Sequence, residues 1–164
     1  MKSWIIILFF PFFASAQTVH VNDDEVEYKG NIKLQGMSKE AVWAKAQEAL
    51  QPIFQISEVE KDASKTELEA EGRLRLETPY RIIREVVYRL KLEAKNEELE
   101  YKIDKVYLQE TQRGYETKTT PSKDLIEALE EGGAVVKETE KILNETDMRL
   151  HEIFARLKTF LKNR

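Results

Sequence analysis

The sequence predicts an α+β two-layer sandwich, an antiparallel sheet with helices packed on one face. Three observations lead there. Between Lys65 and Glu110 apolar and charged residues alternate through three consecutive stretches. Two other segments, Lys39–Leu50 and Ala134–Lys162, repeat apolar residues at spacings of three and four. The resulting order is β-α-β-β-β-β-α, with a further helical turn or two before the last helix. Strands that follow one another in a meander, with helices set apart from them, pack as a sheet under a helical layer.

The meander is the clearest part. Side chains two apart on a strand share a face. Leu68, Ala70, Leu74 and Leu76 therefore oppose Glu67, Glu69, Glu71, Arg73, Arg75 and Glu77. After Thr78-Pro79, Val86, Tyr88, Leu90 and Leu92 point inward while Glu85, Arg89, Lys91 and Glu93 point outward. After Lys95-Asn96-Glu97, Leu99, Tyr101 and Ile103 face away from Glu100, Lys102 and Asp104. Short turns join the three, so the strands are antiparallel and one face is wet.

Upstream, Val26, Tyr28, Ile32 and Leu34 alternate with Glu27, Lys29, Asn31 and Lys33, a first strand that Gly36 ends. Ser38 is an N-cap for the helix Lys39–Leu50, whose Val42, Trp43, Ala46, Ala49 and Leu50 form one face. Pro52 is expected to stop it, and Ile53–Val59 reads as strand two. Thr111–Pro121 reads as a polar loop. Ser122 then caps a short helix, Lys123–Glu131, which Gly132-Gly133 breaks.

The last segment has the most regular period. At 100° per residue, Val135, Val136, Ile142, Leu143, Leu150, Ile153, Phe154, Leu157, Phe160 and Leu161 fall within an arc of about 120°, with Thr139 and Thr146. Its Lys, Arg, Glu and Asp residues lie outside that arc. The stripe keeps a period of about 3.6 rather than 3.5, which suits a straight helix on a sheet rather than a supercoiled pair.

A chain of 164 residues with 41% apolar residues suits one domain with a core. The net charge of −4, with both signs interspersed, gives no footprint for nucleic acid or anionic lipid. The chain has no cysteine, which excludes disulfides, thiolate metal sites and Cys nucleophiles. Residues 1–16 read as a secretory signal peptide: Lys2, an apolar run from Trp4 to Phe13, then Ala14-Ser15-Ala16. The run is shorter than the ~20 residues a membrane-spanning helix needs. Cleavage after Ala16 leaves Gln17 first, residues 17–25 as a flexible lead-in and 26–162 as the domain. The protein is expected to be exported, to the periplasm, cell surface or medium, and to be a monomer without a transmembrane segment.

Several of these residues together resemble an uncharacterised family of secreted bacterial proteins, a domain of unknown function with a TATA-binding-protein-like (TBP-like) fold. They are Gly36-Met37-Ser38-Lys39-Glu40 opening a helix with Trp43, the turn at Lys61-Asp62, Glu71-Gly72 in a strand, and the hairpin from Tyr88 to Ile103. The hairpin carries Asn96-Glu97 where an Asp-Gly-like turn is expected. The resemblance implies a fold and carries no activity, and the likeness to a DNA-bending protein is one of backbone shape. The open face mixes glutamates with arginines and lacks the wedge aromatics that bending DNA requires.

No sequence motif points to an enzyme. No Gly-flanked serine elbow, phosphate loop, dinucleotide fingerprint or His-Glu-x-x-His run is present. His20 and His151 are not at metal-ligand spacing, and His151 sits beside the apolar arc of its helix. Glu67, Glu69 and Glu71 with Asp104 have the chemistry for calcium, but a row of carboxylates opposite arginines and lysines more commonly forms cross-strand pairs. Asn144-Glu145-Thr146 matches a glycosylation pattern, yet Thr146 falls in the buried arc. Tyr80, Tyr88, Tyr101, Tyr107 and Tyr115 are strand formers before they are a stacking platform. The expectation is a non-catalytic module with no cofactor and no metal. It would offer Glu69, Glu71, Arg73, Arg75, Arg89 and Lys91, or a strand edge, to an envelope protein or glycan. The other reading is a binder of small apolar ligands, with a cavity between the long helix and the sheet.

Overall fold

A computed structural model describes residues 18–22, 25–54, 56, 66–78, 82–112, 116–132 and 136–163. The elements are β1 (Thr18–Asn22), β2 (Glu25–Lys33), α1 (Lys39–Phe54), β3 (Glu67–Arg75), β4 (Ile82–Lys95), β5 (Glu98–Gln112), β6 (Lys118–Pro121), α2 (Ser122–Glu131) and α3 (Val136–Lys162). The strands form one antiparallel sheet in the order β1-β2-β5-β4-β3, and β6 pairs with β5. This is the α+β sandwich with a long C-terminal helix that the alternation and the helical stripe predict.

β5 is the spine of the sheet. Its fifteen residues pair with β4 along one side. On the other side its first half meets β2, through Leu99 opposite Ile32, and its second half meets β6, through Leu108 opposite Thr120. A bulge lies between the halves. Arg89 is opposite Asp104 and Val87 is opposite Tyr107, so β5 carries one extra residue there. Lys105 takes it up with φ of 50°, a left-handed conformation that lysine rarely adopts. The bulge changes parity: Leu99, Tyr101 and Ile103 are buried before it, Val106 and Leu108 after it.

Helices cover the face carrying Tyr28, Ile32, Leu68, Ala70, Val86, Tyr88, Leu90 and Leu92. α3 brings Ile142, Leu150, Ile153, Phe154, Leu157 and Leu161 to that core, and Thr139 and Thr146 are buried with them, as the arc predicts. Leu143 and Phe160, at the arc's margins, are only half-buried. Phe154 stacks on Tyr101 with ring centroids 4.2 Å apart. Buried Thr146 needs a partner for its hydroxyl and donates to the Ile142 carbonyl at 2.8 Å.

Four expectations are corrected. α1 does not stop at Pro52 but runs on to Phe54, so Ile53 and Phe54 are helical rather than the start of a strand. Both are buried and continue the apolar face of Val42, Ala46, Ala49 and Leu50, and that packing outweighs the hydrogen bond proline cannot donate. Ile56 is buried and belongs to no strand, and the rest of the expected strand two lies outside the described residues. The lead-in is not irregular: Thr18–Asn22 pairs with β2 as an edge strand. The polar stretch after Glu110 holds the end of β5 and all of β6. Residues 1–17, with the expected signal peptide, lie outside the described residues, as do Tyr80 and Tyr115.

The Asn96-Glu97 turn has a structural account. Glu97 adopts φ of 60° and is clasped to the loop between β2 and α1. Leu34 donates to the Glu97 carbonyl at 2.7 Å, and Glu97 donates to that of Met37 at 2.9 Å. Gly36 donates to the Glu97 carboxylate at 2.8 Å. Four such contacts, with Lys39 N–H on Asn96 Oδ1, hold a conformation glycine would adopt freely.

Candidate functional site

The outer face of the sheet holds all six residues singled out from the sequence, but it divides them into two groups. Glu69, Arg89 and Lys91 belong to a row of ion pairs that crosses the sheet. Arg89 reaches Glu69 at 3.1 Å and Asp104 at 2.5 Å, and Lys91 reaches Glu69 at 3.3 Å. Lys102 continues the row, 3.3 Å from Asp104 and 2.7 Å from Glu27, and Lys29 lies 3.4 Å from Glu27. The row thus runs β3–β4–β5–β2, with cations and carboxylates in turn.

Asp104 is the centre of that row, with a side chain only 6% exposed. Burial pushes its carboxyl up, but hydrogen bonds and charge from Arg89 and Lys102 outweigh this and hold it below the usual carboxylate range. Reciprocally, the Asp104 hydrogen bond raises Arg89, and the Glu27 hydrogen bond raises Lys102. The Lys102 hydrogen bond likewise lowers Glu27. Alternation places Asp104 on this face, but its burial depends on the bulge next to it, which the sequence does not announce.

Glu71, Arg73 and Arg75 lie at the other end of β3. Arg73 pairs with its neighbour Glu71 at 2.8 Å and with Glu85 at 3.7 Å. Arg75 is exposed and stands opposite Glu85 in the register, without an ion pair among the described residues. In this half the outer face is less charged. Val87, opposite both Arg73 and Tyr107, is fully buried though outside the helix-covered core. Tyr107 is half-buried and its hydroxyl donates to Glu71 at 3.4 Å. Ile83 is 42% exposed, a large apolar side chain open to solvent in the sheet.

The helix-covered face is otherwise occupied. Leu90, Leu99, Ile103, Leu150 and Leu157 are fully buried between sheet and helix. A groove of about 540 Å³ lies elsewhere, along the solvent side of α3, between Glu77 and Lys137, Glu140, Lys141, Glu145 and Met148. Most of the residues that line it are charged. Asn144 also faces it, whereas Thr146 is buried. Among the described residues no cluster of His, Asp and Glu is placed to hold a metal ion. Carboxylates Glu69 and Asp104, weighed above for calcium, take cationic side chains instead.

Three polar groups lie between sheet and helices; alternation and the helical arc place Tyr88 inward and His151 at the border, while Arg84 goes unremarked in the sequence. Arg84, nominally inward on β4, donates to Glu110 at 2.6 Å and to Glu138 in the first turn of α3 at 2.5 Å. His151 lies at the α3 border, its Nδ1 2.8 Å from the Asp147 carbonyl and 3.4 Å from that carboxylate, which raises its pKa. Its ring meets Tyr28 edge-on at 6.0 Å. Buried Tyr88 has a hydroxyl with no partner among the described residues, and its ring lies over Gly72.

With this geometry in hand, two solved structures are similar along nearly the whole chain. A TBP-like protein from Parabacteroides distasonis superposes with a TM-score of 0.72 at 14% identity, over 88% of this chain and 97% of its own. A DUF4468 family protein from Bacteroides ovatus gives 0.64 at 14% identity, over 89% of this chain and 91% of its own. No protein-family model and no curated protein matches the chain. The domain is an α+β sandwich of the TBP-like fold. Among the described residues no helix is long and apolar enough to cross a membrane.

Proposed function

We propose that this is a non-catalytic, exported interaction module that docks an envelope partner on the outer face of its sheet. The observation that carries the reading is the uneven use of that face. The half around Asp104 satisfies its own charges, while the other half sets Arg73 and Tyr107 on either side of buried Val87, with Arg75 and exposed Ile83 further along the same face. Aromatic and arginine side chains around an apolar residue have the composition of an interface centre rather than of a merely solvated surface. The patch lies on three paired strands, β3, β4 and β5, and a patch held by such a ladder has a low ordering cost on binding. Export rests on residues 1–16, and mature protein from the envelope or medium should begin at Gln17.

The test is capture from envelope extract. Ile83→Asp and Tyr107→Ala, which leave the ion-pair row untouched, should each remove the specific partner while thermal melting is retained. Arg89 is unsuitable as a control, because reversing it would set a glutamate beside Asp104 and Glu69. Retention of every captured protein by both variants would make the face a solvated surface.

A further inference from the structure

The geometry points to β3 as a homodimerisation edge: two copies pair antiparallel about a two-fold axis through Gly72 and continue the sheet from one molecule into the other. This goes beyond the outer-face reading and holds whether or not that face binds a partner.

β3 is the last strand in the sheet order, and no strand among the described residues pairs with its other side. Its backbone is set for a further strand. At the two ends of the β3–β4 ladder Leu76 donates to Arg84 at 3.0 Å and Ala94 donates to Thr66 at 2.9 Å. The register between those points is uniform, so the even-numbered residues of β3 bond to β4. Bonded and non-bonded residues alternate in an antiparallel ladder, so the amides and carbonyls of Glu67, Glu69, Glu71, Arg73 and Arg75 point off the edge.

Those five residues also carry the charges, ordered acid, acid, acid, base, base. An antiparallel copy centred on Gly72 sets Glu71 against Arg73 and Glu69 against Arg75, each contact repeated by the symmetry. The residues so opposed are the ones whose backbone groups point off the edge, so each pair exchanges two backbone hydrogen bonds. On the other side Ala70 meets Leu74, and Gly72, with the Tyr88 ring over it, meets itself. Sliding the copy by two residues keeps opposite-charge pairs, Glu69 with Arg73 and Glu67 with Arg75 in one direction and Glu71 with Arg75 in the other, but sets Glu71 on Glu71 or Arg73 on Arg73 at the axis itself. The Gly72-centred register satisfies hydrogen-bond parity and keeps like charges off the axis, with Glu67 meeting Glu77 only past the end of β3, and Arg75 gains a carboxylate partner. A two-fold interface must be self-complementary in this sense.

The full mature chain should run at twice its monomer mass in light scattering or sedimentation. Arg75→Glu opposes two glutamates at both symmetry-related contacts, and should weaken self-association about tenfold or more with unchanged melting. The pair Arg73→Glu/Arg75→Glu and, separately, Glu69→Arg/Glu71→Arg should each be monomeric, while an equimolar mixture of the two should form a heterodimer. That rescue also shows that both variants are folded. A wild-type chain that stays monomeric at its highest soluble concentration overturns the proposal. So does an Arg75→Glu chain that dimerises like wild type, or a mixture that fails to associate when both variants melt cooperatively.

Discussion

Single residues on this sheet differ sharply in what they tolerate. A Cβ added at Gly72 would sit 2.3 Å from Tyr88 Cζ, and the Tyr88 ring is 1% exposed, so it has nowhere to swing. Gly72→Ala should cost about 1–3 kcal/mol, as overpacking does. Tyr88→Phe should change stability by less than about 1 kcal/mol or raise it, because the hydroxyl removed has no partner among the described residues. Chemical denaturation of the two variants checks both. Leu90 and Lys91 test the facing. Leu90→Asp buries a charge at a fully buried position and should cost several kcal/mol, whereas Lys91→Asp loses one half-exposed ion pair and should cost about 1 kcal/mol or less. Equal melting of these two would refute the assigned faces. Alternation made Leu90 and Lys91 legible, because a strand period of two is read directly from sequence. Tyr88 over Gly72 was not, since it depends on which residue of β4 stands opposite which of β3.

Elements were legible where their period was long and illegible where a neighbour decided them. α3 was read almost to its ends because Ile142, Leu150, Ile153 and Leu161 mark one stripe over many turns. β6 and β1 carry no such stripe; each is a strand because β5 or β2 offers it a ladder. α1 overran Pro52 because Ile53 and Phe54 had a core to enter. In the candidate site, the charged face was legible but its division was not. Glu69, Arg89 and Lys91 belong to an ion-pair row in which Asp104, one residue before the bulge at Lys105, is buried between two cations. That row ties four strands together and predicts a pH dependence. Asp104 has a lowered pKa in the folded protein, so its contribution is complete above the usual carboxylate range. It is lost as pH falls through the depressed folded value. Asp104→Asn should therefore be less stable than wild type at neutral pH, by about 1–3 kcal/mol, and the gap should close on acidification. A gap that stays constant down to pH ~2 would show that the carboxylate's charge has no part in it.

At the scale of the whole molecule, the sheet and α3 each supply what the other lacks. The sheet has one face covered by helices, and on the other the charges around Asp104 are satisfied in its own plane. α3 has a single apolar stripe and a charged remainder. Burying Ile142, Leu150, Ile153, Phe154, Leu157 and Leu161 contributes roughly 9–18 kcal/mol gross. Net stabilities of domains this size are ~5–15 kcal/mol, so no other part of the molecule can offset the loss of the stripe. The ends of the helix are also anchored by polar contacts: Arg84 on Glu138 at one end and Lys45 on the Leu161 carbonyl, 3.0 Å, at the other. Deleting residues 136–163 should therefore leave a chain that retains strand signal, loses near-ultraviolet dichroism, binds a hydrophobic dye and aggregates, since the exposed face would be a continuous apolar surface. A deleted chain that melts cooperatively as a soluble monomer would mean that the sheet is closed without α3. The helix would then be an element held ready for a partner rather than the second layer of the sandwich.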